Sequence, residues 1–165
     1  MLPGQQIMLA GVVPAGELAP GALQPNGLDL SLDEVWRIVG VGALGRADAD
    51  RRLPEREPLA FDGEGWLMLP PGGYGFRYAE RVAVPVDCAG LVFPRSSLLR
   101  MGVDVPTAVW DAGYGGRGEG LLLVTTQHGV RLQRGARIAQ LIVFKLTGQT
   151  QGYAGRYQEG PAASQ

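Results

Sequence analysis

The sequence predicts an all-β fold, and two observations carry that reading, its turn punctuation and its single helical segment. The 26 glycines and 12 prolines punctuate short apolar runs instead of forming a low-complexity tract, so they mark many turns between short strands. The longest apolar runs, such as Leu121-Leu122-Leu123-Val124, are far too short to span a membrane. Only one segment, 96–101, reads as a helix. A chain of 165 residues makes one domain, which buries roughly 70% of the surface its unfolded form exposes.

In chain order, strands are expected at 6–13, 28–32, 35–41, 59–61, 65–69, 74–80 and 81–85. The charged run 48–57, DADRRLPERE, interrupts them. It has no apolar face and holds a proline, so it reads as a solvated loop without chemistry. Further strands are expected at 90–94, 107–110, 120–126, 130–132 and 136–146. Asn26-Gly27 marks a turn before the second strand, and Gln127-His128-Gly129 reads as the turn between 120–126 and 130–132. There is no internal repeat. Residues 154–165 are polar and glycine-containing, which predicts an arm that stays mobile until something orders it, attached to a β domain spanning 1–153.

Composition excludes several function classes. A net charge of −1 leaves no basic face for nonspecific binding of nucleic acid, so any positive potential is local and a nucleotide is favoured over a polynucleotide. No charged start followed by an apolar stretch opens the chain, which fits a cytoplasmic protein with no membrane partner. Cys88 is the only cysteine, so it forms no intrachain disulfide and reads as a small buried hydrophobe beside Val86 and Ala89. With one histidine, His128, and one cysteine, the chain lacks the ligands of a His/Cys zinc deaminase. A Ser-His-Asp hydrolase is disfavoured too, because His128 falls in a turn.

Two segments carry candidate chemistry. Arg95, Ser96, Ser97 and Arg100 gather two guanidinium forks and two hydroxyls where the short helix begins, a composition suited to phosphate. The alternative is that Ser96 or Ser97 is only an N-cap, Leu98 and Leu99 fill the core and the arginines are solvated. Downstream, Val109 and Trp110 read as strand, Asp111 ends it, and Gly113, Gly115, Gly116, Gly118 and Gly120 let the backbone turn tightly and approach a ligand. Asp111 is a candidate for activating water and Tyr114 for stacking on a sugar or base. The alternative is an ordinary Asp-Gly hairpin turn with a packed tyrosine.

Taken together, Pro94-Arg95-Ser96-Ser97-Leu98 and Val109-Trp110-Asp111-Ala112-Gly113-Tyr114 resemble the second and third motifs of the trimeric dUTPase and dCTP deaminase superfamily. Gly27-Leu28-Asp29-Leu30, Arg137-Ile138-Ala139-Gln140-Leu141 and Gly155-Arg156-Tyr157-Gln158-Glu159-Gly160 are similar to its other three, in the same order. The stretch 107–120 looks like the archaeal-type dUTPase hairpin, whereas the tail lacks the doubled-glycine arm of many dUTPases.

The resemblance implies a distorted β-barrel or jelly roll, assembled as a homotrimer with sites between subunits and a tail that closes over them. It implies hydrolysis of dUTP to dUMP and pyrophosphate, which keeps uracil out of DNA and supplies dUMP for dTMP synthesis. Asp111 would be the base and Tyr114 the aromatic that stacks on deoxyribose and rejects UTP. Thr107, Ala108 and Val109 would read uracil through their backbone. Arg95 and Ser96 would hold the α- and β-phosphates, with Ser97, Arg100 and Gln140 in support, and Arg156 and Tyr157 would close over the γ-phosphate or base. Mg²⁺ is expected on the triphosphate, with Asp29 supporting metal-bound water; without the family, Asp29 reads as a strand-edge residue.

The alternative within the superfamily is dCTP deamination, alone or combined with dUTP hydrolysis. The deaminases carry a glutamate ten residues after the hairpin aspartate, and Leu121 stands there in this chain. Glu119 lies two residues earlier, where a bulge would bring it to the ring, or where it serves as a surface charge paired with Arg117. A non-catalytic jelly-roll binding module is the remote third reading.

Overall fold

Long strands dominate the chain, several with alternate residues buried, and their pairing bends one sheet around the core. The structure, a computed structural model, describes residues 1–148 and 150–158. Strand β1 (Leu23–Gln24) leads through a turn at Asn26 into β2 (Gly27–Val39). The first half of β2 pairs with β10 (Arg137–Lys145) and its second half with β5 (Gly72–Ala83), with a register irregularity between Leu32 and Glu34. That irregularity lets one strand serve both sides of the bend. The rest of the path runs from β10 to β6 (Cys88–Pro94), and from β5 through β8 (Gly115–Val124) to β7 (Val103–Asp104). Strands β4 (Trp66–Leu69) and β9 (Val130–Gln133) form a separate pair.

The core is Leu28, Leu30 and Leu32 of β2 against Phe76, Leu122, Ile138, Leu141 and Val143, all fully buried. Each such side chain stabilises the fold by about 1.5–3 kcal/mol relative to an exposed one. On β8, inward-facing glycines make room for rings. A Cβ at Gly118 would lie 2.3 Å from the Trp110 ring and one at Gly120 would lie 2.6 Å from Phe76. The core also takes in the Glu80 carboxyl. Glu80 is 1% exposed and accepts a 2.8 Å hydrogen bond from the Ser31 N–H, and burial pushes its pKa above the ordinary carboxylate range.

The expected all-β class holds, with four corrections. Residues 6–13 are not a strand: Gly4–Leu9 forms helix α1, with Pro3 accepting from the Gln6 and Ile7 N–H groups. Gln, Met and Leu favour helix locally, and only Gly4 and Ile7 of this turn are buried, so strand alternation never develops. The segments 28–32 and most of 35–41 are one strand, as are 74–80 and most of 81–85, because irregularities replace the expected breaks. Residues 59–61 and 107–110 are not strands; Trp110 makes only an isolated bridge to Gly90. Finally, the end of the charged run enters strand β3 (Glu55–Pro58), paired with Trp36–Val39. Its residues are all exposed, so charge on both faces of an edge strand concealed it. Helix α2 (Ser96–Arg100) matches the expected one. Among the described residues, no helix is long and apolar enough to cross a membrane.

Candidate active site

The segment after β7 crosses to the β6 edge, where Trp110 and Gly90 exchange two backbone hydrogen bonds of 2.9 Å. Asp111 then starts a turn closed by the Tyr114 N–H on the Asp111 carbonyl at 3.1 Å. Gly113 takes φ +80°, a left-handed conformation that favours glycine. Tyr114 is braced by a row of rings: Phe76 to Tyr78 at 4.8 Å, Tyr78 to Trp110 at 5.9 Å, and Trp110 to Tyr114 at 5.4 Å, the first and last edge-on. The core therefore fixes where this tyrosine stands.

The tail seats on the same turn. Tyr153 meets Tyr114 edge-on at 5.7 Å, and its N–H donates to the Ala112 carbonyl at 2.6 Å. The Gln158 amide donates to the Gly113 carbonyl at 3.1 Å and accepts from the Gly115 N–H at 3.2 Å. Hairpin, tail and β3 enclose a cleft of about 620 Å³. Ala108, Val109, Asp111, Tyr114, Arg156 and Tyr157 all line it, so six of the sequence-predicted residues come together. Glu159 and Gly160 of the tail motif, with 161–165, lie outside the described residues.

The cleft also contains residues the sequence did not single out. Arg56 on β3 forks onto Glu119, with Nη1 to Oε1 at 2.6 Å and Nη2 to Oε2 at 2.7 Å. The Glu119 hydrogen bonds raise the Arg56 pKa further. Glu119 is thus paired with Arg56 and not with Arg117, which lies 3.7 Å from Asp33. Nor does β8 bulge there: Glu119 through Val124 run in regular register against Arg77 through Gly72, and the extra residues sit on β5 between Arg77 and Arg81. No local pattern marked Arg56, because its partner is 63 positions away. Tyr153 and Gln158 had a weak signal, being an aromatic and an amide in a glycine-containing tail.

The remaining predicted residues do not line the cleft, and only some of them gather at a second centre, around Asp29. Asp29 on β2 is 1% exposed. Its Oδ2 is approached by Arg95 Nε at 3.1 Å, Arg137 Nη1 at 3.1 Å and Gln24 Nε2 at 3.2 Å. Burial raises the Asp29 pKa and outweighs the two guanidiniums and the Gln24 amide, which pull it down. Arg95 also donates to the Arg137 carbonyl at 3.2 Å, and Gln140 stands opposite Asp29 in the β10–β2 register. Ser96, Ser97 and Arg100 lie exposed on α2. Arg95 itself takes the N-cap position, without a side-chain cap, and Leu98 is buried while Leu99 is exposed. Thr107 Oγ1 accepts from the Val92 N–H and donates to the Ala108 carbonyl, both at 3.1 Å. Among the described residues, no group of three or more His, Cys, Asp or Glu is placed to hold a metal ion.

Residues 5–146 match the family model described as dCTP deaminase-like. The chain belongs to the dCTP deaminase-like family. Within its reach, a Methanosarcina acetivorans protein named probable deoxyuridine 5'-triphosphate nucleotidohydrolase is 44% identical over 137 residues, covering 82% of this chain and 80% of that one. An Aeropyrum pernix protein of the same name is 44% identical over 158 residues, covering 95% and 96%. Among solved structures, the 2'-deoxycytidine 5'-triphosphate deaminase from Agrobacterium tumefaciens superposes with a TM-score of 0.65 at 21% identity, over 86% of this chain. This chain spans 46% of that one, and the likeness concerns the fold. For a dCTP deaminase-like chain, the barrel-like all-β architecture expected from the sequence is the one present.

Proposed function

We propose that this protein is a dUTP diphosphatase that takes dUTP as its Mg²⁺ complex and releases dUMP and pyrophosphate. The observation that carries the reading is the meeting of Asp111, Tyr114, Ala108 and Val109 in one cleft, with Leu121 and not a carboxylate ten residues after Asp111. The names of the 44% identical archaeal relatives support the same substrate.

In this reading Asp111, exposed at the cleft wall, orients a water and takes its proton as the water oxygen attacks the α-phosphorus. The bond to the bridging oxygen of the β-phosphate breaks, and pyrophosphate leaves with the electron pair. Positioning and charge neutralisation dominate such transfer. Tyr114 packs on deoxyribose, where its braced ring leaves no space for a 2'-hydroxyl. Backbone groups of Thr107, Ala108 and Val109 pair with uracil, and a ring with reversed donors and acceptors leaves buried groups unpaired. Arg156 and Tyr157 come with the tail. Mg²⁺ would come with the triphosphate and would neutralise part of its charge.

The phosphate-binding set Arg95, Ser96, Ser97, Arg100 and Gln140 does not line the cleft of its own chain. Homotrimer assembly, with one copy's set facing the next copy's cleft, would complete the site. Asp29 then holds Arg95 ready through its Oδ2 contact.

The test is to incubate the protein and Mg²⁺ separately with dUTP, dCTP and UTP, following pyrophosphate and ammonia together. Pyrophosphate from dUTP alone is the expected result. Ammonia from dCTP would overturn it and make Glu119 or another carboxylate the group that reaches the ring.

A further inference from the structure

Two carboxylates line the cleft among the described residues, Asp111 and Glu119, and only Asp111 has a task in hydrolysis. In the dUTP reading the base enters at Ala108 and Val109, which line the same cleft as Glu119, and there a free Glu119 would be a hazard to uracil recognition. A bare carboxylate beside a nucleobase accepts a hydrogen bond from an amino group and repels a carbonyl oxygen, and at C4 cytosine carries the first where uracil carries the second. Left unoccupied, Glu119 would favour the wrong base.

The fold occupies it. Both Glu119 oxygens accept from the Arg56 fork, at 2.6 and 2.7 Å, the bidentate arrangement that guanidinium and carboxylate planes match best. Arg56 is itself held in place: its guanidinium lies 4.5 Å from the centre of the Trp36 ring. Trp36 is 8% exposed, and a Cβ at Gly75 would lie 2.0 Å from its Nε1, so the indole rests directly on the β5 backbone. The pair stands between the main cleft and a neighbouring one of about 290 Å³ that contains Trp36, Gly75 and Leu121, and it borders both. Packing thus runs from Gly75 through Trp36 and Arg56 to the carboxylate that faces the site.

We propose that Arg56 is a specificity-determining residue, favouring uracil over cytosine by withholding Glu119 from the base. This rests on the reading of dUTP as substrate. It assigns the discrimination to a denied acceptor as well as to backbone donors of the hairpin, which is how specificity is built against a competitor.

The experiment is calorimetric titration of the α,β-imido analogues of dUTP and dCTP, with Mg²⁺, into the full chain and its Arg56→Gln and Arg56→Gln/Glu119→Gln variants. The parent is expected to prefer the dUTP analogue. Arg56→Gln should lose at least about tenfold of that preference, largely by gaining affinity for the dCTP analogue, and the double variant should recover most of it. An unchanged preference in Arg56→Gln would overturn the proposal, and so would an equal loss in the double variant, which would mean Glu119 is not the intermediary. Should Arg56→Gln fail to fold, Arg56→Lys keeps the charge without the fork and should show the same loss in smaller measure; no loss in it would overturn the proposal. A parent that prefers neither analogue and releases no pyrophosphate from dUTP would instead remove the underlying functional reading.

Discussion

The two constellations of this chain treat a carboxylate in opposite ways. Around Asp29 the group is buried, one oxygen receives three donors, and two guanidiniums are locked to β2. Around Asp111 the carboxylate is exposed on a turn, and the rings and tail beside it supply the order. The first arrangement resembles a fixture, built where strands β2 and β10 already meet. The second is a working surface, set by a glycine turn and left open to solvent. The difference separates residues whose loss should cost stability from those whose loss should cost turnover.

The largest effect expected from this contrast is on the open side. Asp111→Asn should lower kcat by about 10²–10⁴-fold while nucleotide binding and melting temperature stay near those of the parent. Single-turnover hydrolysis alongside titration of the imido analogue of dUTP measures both. A matching loss of binding would move Asp111 from base to ligand anchor.

On the buried side, Asp29→Ala should act mainly on stability. Removing one partner of a buried ion pair costs about 3–5 kcal/mol. Arg95 and Arg137 side chains are 32% and 27% exposed, so water would relieve part of the loss. An outcome of about 2–3 kcal/mol, on the order of 5–10 °C in Tm, is expected in thermal denaturation. A variant that melts like the parent but has a raised KM would show the cluster to be a phosphate site first and a fixture second.

The smallest effect sharpens the comparison with Glu80, a buried carboxyl held by a backbone N–H. Glu80 has its pKa raised, chiefly by burial. An acid raised on folding contributes stability fully below its unfolded value, near 4.5, and loses that contribution as pH rises through the higher native value. Gln at this position keeps an acceptor for the Ser31 N–H. Glu80→Gln should therefore melt like the parent near pH 4 and about 1–3 °C higher near pH 8. A gap that is constant across pH would mean the carboxyl does not titrate with unfolding.

What the sequence made legible follows the same division. Strand content, helix α2 and the Asp111 turn could be read because they depend on neighbours in the chain: apolar runs, turn glycines, a hydroxyl-rich helix start. Strand β3 and Arg56 could not, because an edge strand with charge on both faces looks like a loop, and its partner Glu119 lies on a strand brought beside it only by folding. Helix α1 was misread since six residues with one buried side chain carry too little periodicity to decide between helix and strand. The split of the predicted site into two constellations was equally invisible, because motif order along a chain does not say which motifs share a wall.

Strand β8 carries a last consequence, for inheritance. Its inward positions 118 and 120 are glycines against Trp110 and Phe76, where even a methyl group would collide with a ring. Its other face presents Arg117, Glu119 and Leu121 to the two clefts. Drift along this strand is therefore blocked by those rings at 118 and 120, whereas 117, 119 and 121 meet no such obstacle. A lineage that exchanged one base-directed chemistry for another could write the change in those alternate letters alone, over a barrel that stays the same.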